Sequence, residues 1–135
     1  MAATKLRVGV DAVGVERLRR LVEEDTARQE TLFTPQELAY CRRKRRCYEH
    51  MAARFAAKEA VLKAFGTGIS QRMRWTDVEV LNERTGRPLV RLDGAVAAFA
   101  ERRGLRDLDL SLTHTEGLAL AQAVTVWDEP RCAST

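Results

Sequence analysis

The stretch Arg54-Phe55-Ala56-Ala57-Lys58-Glu59-Ala60-Val61-Leu62-Lys63-Ala64-Phe65, closed by Gly66-Thr67-Gly68, is the strongest structural signal in this chain of 135 residues. From about Glu49 its alanines favour helix, and Met51, Phe55, Leu62 and Phe65 fall within one arc at about 100° per residue. The glycines after Phe65 mark the helix end. Glu59 and Lys63, four apart, project from one face beside that arc. Two readings of the pair are open: an exposed ion pair contributing about 0.2–0.5 kcal/mol, or a carboxylate and an ammonium presented together at a site. Lys58 is harder to leave on a surface. It falls between Leu62 and Phe65, inside the apolar arc, where an unpaired ammonium is costly to bury. It is therefore expected to snorkel outward or to face a site or an interface.

Working towards the N-terminus, Leu6 to Val13 reads as a short strand through Gly9-Val10-Asp11, and Val15, Leu18, Leu21 and Val22 recur at helical spacing after Gly14. Thr34-Pro35-Gln36-Glu37 has the form of a helix start, with a threonine cap, proline at the first position and glutamate three residues after the cap. That second helix is expected to run through Tyr40. Towards the C-terminus, Trp75 to Leu81 alternates as a strand. Asn82 to Pro88 is a turn leading to a partner strand near Leu89 to Leu92, which makes a hairpin. A helix over Gly94 to Arg103 stops at Gly104, and Leu108 to Thr113 and Leu118 to Val126 read as two more strands. The order β-ααα-ββ-α-ββ defines one α+β domain over residues 1–127, with a frayed tail expected over 128–135.

Composition narrows the function. The net charge of +4, with arginine far outnumbering lysine, points to an anionic partner without choosing between nucleic acid, phosphorylated cofactor and acidic protein. No window has the eighteen or so apolar residues of a membrane span, and the first residues lack a signal-peptide pattern, so a cytoplasmic location is the default expectation. Cys41, Cys47 and Cys132 are odd in number and lack a C-x-x-C spacing, which argues against structural zinc and a disulfide framework. The run Arg42-Arg43-Lys44-Arg45-Arg46 could be a solvated helix face, a nucleic-acid patch or a contact for an acidic protein. No aromatic residues are interleaved with it to stack bases.

Asp11 stands where the first strand runs out, a place where sheets present side chains to ligands, although aspartate there can equally cap the following helix. Were Asp11 and Glu59 to converge, their hard oxygens would suit Mg²⁺, which takes one or two protein carboxylates and leaves its other positions to water and phosphate. Lys63 would stand beside the same phosphate, an assembly suited to phosphoryl transfer.

The segments Val8-Gly9-Val10-Asp11 and Arg54 to Gly68 resemble the two signature motifs of the phosphopantetheinyl transferases, specifically the small holo-acyl-carrier-protein synthase group. Further matches are Val15-Glu16-Arg17, Phe33-Thr34 with Glu37, Trp75-Thr76-Asp77-Val78-Glu79, Thr85-Gly86-Arg87-Pro88 and Leu110-Ser111-Leu112-Thr113-His114-Thr115. Together they span Val8 to Val126. The resemblance implies that 4'-phosphopantetheine passes from coenzyme A to a serine of an apo acyl carrier protein, giving holo carrier and adenosine 3',5'-bisphosphate. It implies Mg²⁺ on Asp11 and Glu59, and Lys63 on the phosphates. Arg45, Arg46, Arg54, Gly66, Thr67, Gly68, Pro88, Thr113, His114 and Thr115 fall at its cofactor-binding positions, and Arg17 at a carrier-protein contact.

Whether Glu59 or a water removes the serine proton is left open, as is the choice among fatty-acid, polyketide and peptide-synthesis carriers. Small members of the group form homotrimers with active sites between subunits, so His114 is expected to reach the cofactor from an adjacent chain. Without the resemblance, His114 reads as a hydrogen-bonded structural residue and Glu37 as half of a capping box. Two rivals differ in class: a nucleic-acid-binding module working through Arg42 to Arg46, and a catalytically silent carrier-binding scaffold. The chain departs from the family pattern at Ala12, where a larger aliphatic residue is common, and in a tail that is longer than usual.

Overall fold

The computed structural model describes residues 3–70 and 72–129. Strand β1 (Thr4–Gly14) leads into helices α1 (Val15–Glu24), α2 (Ala27–Leu32), α3 (Pro35–Arg42) and α4 (Cys47–Phe65). A 3-10 turn at Trp75–Asp77 precedes the hairpin β2 (Val78–Asn82) and β3 (Pro88–Leu92). Then follow α5 (Gly94–Arg103), β4 (Leu105–Thr115) and β5 (Leu118–Asp128). The α+β order expected from sequence is present, with one addition and one correction. The six-residue α2 carries no buried side chain and so no periodic signal. Trp75 to Asp77 are not strand: the Asp77 carboxylate accepts from the Arg74 backbone N–H at 3.0 Å and curls that end into a turn. Of the expected tail, Asp128 ends β5 in the register Thr4↔Asp128, while residues 130–135 lie outside the described residues.

β1, β5 and β4 form an antiparallel sheet in that order, and β2 and β3 pair separately. The β4–β5 connection is a tight turn at Glu116-Gly117, both at positive φ (44° and 80°), as a two-residue hairpin requires. α4 lies across one face of the sheet. The sequence suggested an amphipathic helix, but α4 is the centre of the molecule, buried on nearly every side, from Met51 and Ala52 to Ala64 and Phe65. One cluster joins its C-terminal half to α5, β2, β4 and β5, and a second joins its N-terminal half to Leu18 and Val22 of α1 and Leu38 and Cys41 of α3.

The alanines set the spacing. Ala60 and Ala64 let β1 approach α4 so closely that a Cβ on Gly9 would sit 1.9 Å from the Ala60 carbonyl oxygen. Gly9 is therefore required by close approach of backbone to backbone. Strand alternation then turns Asp11, two residues on, toward the same helix. It also turns Leu6, Val8 and Val10 away from the helices, onto the bare face of the sheet, where they are 60, 51 and 52 % exposed.

The Lys58 expectation is overturned. Its ammonium neither snorkels nor faces an interface: the side chain is fully buried inside the chain, paired with Glu37 at 2.7 Å. It also donates to the Trp75 carbonyl at 3.0 Å and to the Val78 carbonyl. Glu37 is the predicted capping residue, its Oε1 accepting from the Thr34 N–H at 2.9 Å, while its Oε2 accepts from the Val80 N–H at 2.8 Å. Burial lowers the Lys58 pKa and the Glu37 carboxylate opposes that shift. A partner 21 residues upstream could not be read from local spacing.

Candidate active site

Because Gly9 seats β1 on α4, Asp11 and Glu59 meet side by side. The Asp11 side chain is 11 % exposed, and its Oδ1 accepts from the Lys63 ammonium at 2.8 Å. Lys63 also donates to the Val10 carbonyl at 3.0 Å, which holds its exposed head over the end of the pair. The other Asp11 oxygen, Oδ2, is buried and without a hydrogen-bond partner among the described residues. Two carboxylates in contact cannot both ionise freely. Burial, then the Asp11 carboxylate, push the Glu59 carboxyl up to about 7, against the opposing pull of Lys63 and Arg17. Asp11 in turn raises the Lys63 pKa.

Two carboxylates brought together, one of which then resists ionisation, are a donor set short of a cation. The described residues hold no cluster of three or more His, Cys, Asp or Glu suited to a metal. Two carboxylates do meet the needs of a hard divalent ion whose remaining positions go to water and phosphate. The residues therefore fit Mg²⁺. Among the described residues, Cys41 and Cys47 offer no rival nucleophile, since burial pushes the Cys41 thiol up to about 11 and also raises Cys47.

A second assembly lies along the N-terminal half of α4. Arg54, Pro88, Thr113 and His114 line one open cleft of about 530 Å³ together with Tyr40, His50 and Arg87. Arg54 is buried, with its guanidinium 4.0 Å over the Tyr40 ring, one nitrogen bonded to Asn82 Oδ1 and its Nε unpartnered. His114 is half exposed, its Nδ1 3.9 Å from Glu49. Arg45 and Arg46 sit beside the start of α4 in an exposed turn and not on a helix face, with Arg46 3.6 Å from Glu49. Thr115 ends β4, exposed.

Gly66, Thr67 and Gly68 lie at the opposite end, where Gly66 caps α4 at φ 77°. Arg46 and Gly66 are twenty positions apart along the helix, about 30 Å at 1.5 Å per residue. One chain thus brings together Asp11, Glu59 and Lys63, and separately Arg54, Pro88, Thr113 and His114, but does not bring Arg45 and Arg46 to the glycine turn. Tyr40, His50 and Asn82 carried no functional signal in the sequence, and each joins the cleft only through the crossing of α3, α4 and β2.

The model of the 4'-phosphopantetheinyl transferase superfamily matches residues 7–123. The holo-acyl-carrier-protein synthase of Desulforudis audaxviator is 48 % identical over 122 residues, covering 90 % of this chain and 92 % of that one. The enzyme of the same name from Solibacter usitatus is 44 % identical over 117 residues, covering 86 % and 94 %. The ACPS–CoA complex of Chronobacterium ammoniagenes superposes with a TM-score of 0.82 at 30 % identity, covering 93 % and 99 %. The chain belongs to the 4'-phosphopantetheinyl transferase superfamily. Among its described residues no helix is long and apolar enough to cross a membrane.

Proposed function

We propose that the chain is a holo-acyl-carrier-protein synthase, transferring 4'-phosphopantetheine from coenzyme A to a serine hydroxyl of an apo acyl carrier protein. The observation that carries this is the Asp11–Glu59 carboxylate pair with Lys63 bonded to it. Asp11 and Glu59 would hold Mg²⁺, which when bound would supply Lewis-acid neutralisation of phosphate charge. Lys63, already the partner of Asp11, is free at its exposed face to donate to a phosphate oxygen, stabilising charge that grows in the transition state.

The serine oxygen bonds to the phosphorus that bears pantetheine, and the bond from that phosphorus to the adenosine-bearing phosphate breaks. Adenosine 3',5'-bisphosphate leaves with the electron pair. The serine proton would pass to Glu59 or to a water at the same site, the two acceptors within reach of the attacking hydroxyl. Arg17, exposed on α1 and close enough to stabilise the Glu59 carboxylate, belongs to the approach of an acidic carrier.

The adenosine end of coenzyme A occupies the cleft of Arg54, Pro88, Thr113 and His114. That cleft and the carboxylate pair come from different subunits of a homotrimer. Two features support this. The cofactor-binding positions of one chain are spread along α4, about 30 Å from Arg46 to Gly66, and the bare sheet face carries Leu6, Val8, Val10 and Leu118, each 45 % exposed or more. An apolar sheet face of this kind is normally covered, and copies of the same chain are the occupants chosen here. The activity is tested by incubating the protein with apo carrier, coenzyme A and Mg²⁺ and weighing the carrier. A gain of one phosphopantetheine is expected; an unchanged mass across fatty-acid, polyketide and peptide carriers refutes the proposal.

A further inference from the structure

We infer that Lys58 is a positioning residue for the metal pair, a buried ammonium that fixes the rotation of α4 about its axis and so aims Glu59 at Asp11. The inference rests on the metal reading of Asp11 and Glu59. An ammonium has three N–H donors, and here each has an acceptor: Glu37 Oε1 from α3, the Trp75 carbonyl from the 3-10 turn and the Val78 carbonyl from β2. These anchors lie on elements other than the strand that carries Asp11. Glu37 is itself tied at three points, by the Thr34 N–H, the Val80 N–H and Lys58. The tripod therefore stands on fixed ground.

Such a device has work to do where α4 meets β1, because the closest approach there is made by Ala60 and Ala64, while the larger Val61, Leu62 and Phe65 pack in the wider cluster. Burial of these side chains holds the helix against the sheet but is non-directional, and alanine offers little to resist rotation. The directional bonds of Lys58 add to that packing an explicit setting of the angle. Lys58 and Glu59 are adjacent, about 100° apart on the helix, so fixing one fixes the other. A rotation of about 10° would carry an atom about 5–6 Å from the axis through about 1 Å, a displacement that can lower turnover about 100-fold. Lys58 touches neither reacting atoms nor metal, and acts through Glu59.

The test compares wild type, Glu59→Gln, Lys58→Met, Glu37→Gln and the double variant Glu37→Met/Lys58→Met, each first checked for folding by circular dichroism and thermal melting. Binding of Mn²⁺ alone is followed by electron paramagnetic resonance, and turnover by carrier mass. Lys58→Met is expected to bind Mn²⁺ about 10–100-fold more weakly, as removal of outer-shell support commonly does. The milder Glu37→Gln, which keeps two acceptors on Lys58, should show a smaller loss and serves if Lys58→Met does not fold. The double variant replaces the buried pair by apolar groups, which often preserves stability, yet its Mn²⁺ affinity should stay reduced.

Wild-type Mn²⁺ affinity in a folded Lys58→Met, in Glu37→Gln or in the stable double variant overturns the inference. Failure of the wild type to bind Mn²⁺ more tightly than Glu59→Gln would instead overturn the metal reading beneath it.

Discussion

Replacing Gly9 by alanine tests the link between fold and site. The added Cβ would lie 1.9 Å from the Ala60 oxygen, 2.7 Å from the Ala64 nitrogen and 2.9 Å from the Ala60 carbonyl carbon. All three are backbone atoms of α4, so no side chain can swing aside. Ordinary contact begins at 3.4 Å, so β1 and α4 must part by about 1.5 Å. Overpacking of this kind costs about 1–3 kcal/mol, and a clash between two backbones belongs at the upper end. Asp11 is two residues further along the same strand and moves with it. A misplacement near 1 Å lowers turnover about 100-fold, about 2.7 kcal/mol of transition-state stabilisation at 1.36 per factor of ten. Urea unfolding gives the stability change and carrier mass against time gives turnover. A Gly9→Ala protein within about 0.5 kcal/mol of wild-type stability and within about threefold of its turnover would show that the β1–α4 contact does not set the site.

Other expectations follow from the same geometry. Glu59 has its folded pKa raised from the model-compound value of 4.5 to about 7. In the metal-free protein its ionisation therefore destabilises the fold increasingly as pH rises from 4.5 to about 7, and fully above that. Glu59→Gln should thus be more stable than wild type at pH 8 in chelator, by about 1–2 kcal/mol after screening at this partly buried position, and no more stable at pH 4; a pH-independent difference contradicts this. Val8→Glu, on the bare sheet face, should give a folded monomer by sedimentation, whereas an unchanged assembly would place the subunit contact elsewhere. Arg17→Glu should slow modification of an acidic carrier about tenfold at low salt, with the gap closing as salt rises, while coenzyme A affinity holds; a gap indifferent to salt removes Arg17 from the encounter.

What the sequence disclosed follows from how local each signal is. The Thr34–Glu37 capping box, the α5 span from Gly94 to Arg103 and the hairpin around Gly86 depend on neighbours within a few residues, and all stand as read. The central burial of α4 was hidden because alanine packs on any side and leaves little apolar contrast between faces. β1 misleads in the opposite direction. Its large apolar residues Leu6, Val8 and Val10 face away from the helices, while Gly9 and Asp11 face inward, because only glycine admits the helix backbone. Lys58 was legible as an anomaly but not as half of a pair, since Glu37 reaches it only through the folding of α3 onto α4. Asp11 and Glu59 were legible as candidates, and their contact and the unpartnered Oδ2 of Asp11 came only with the fold.

The most direct measurement is calorimetric titration of Mg²⁺ into the chelator-stripped protein at pH 8, in parallel for wild type, Asp11→Asn and Glu59→Gln. The account predicts one ion per subunit in the wild type, with affinity falling about tenfold for each pH unit below about 7 as Glu59 takes up its proton, and at least about a tenfold loss in either variant. Equal Mg²⁺ affinity in all three proteins would contradict it, and Asp11 and Glu59 would then be only a helix-edge charge cluster.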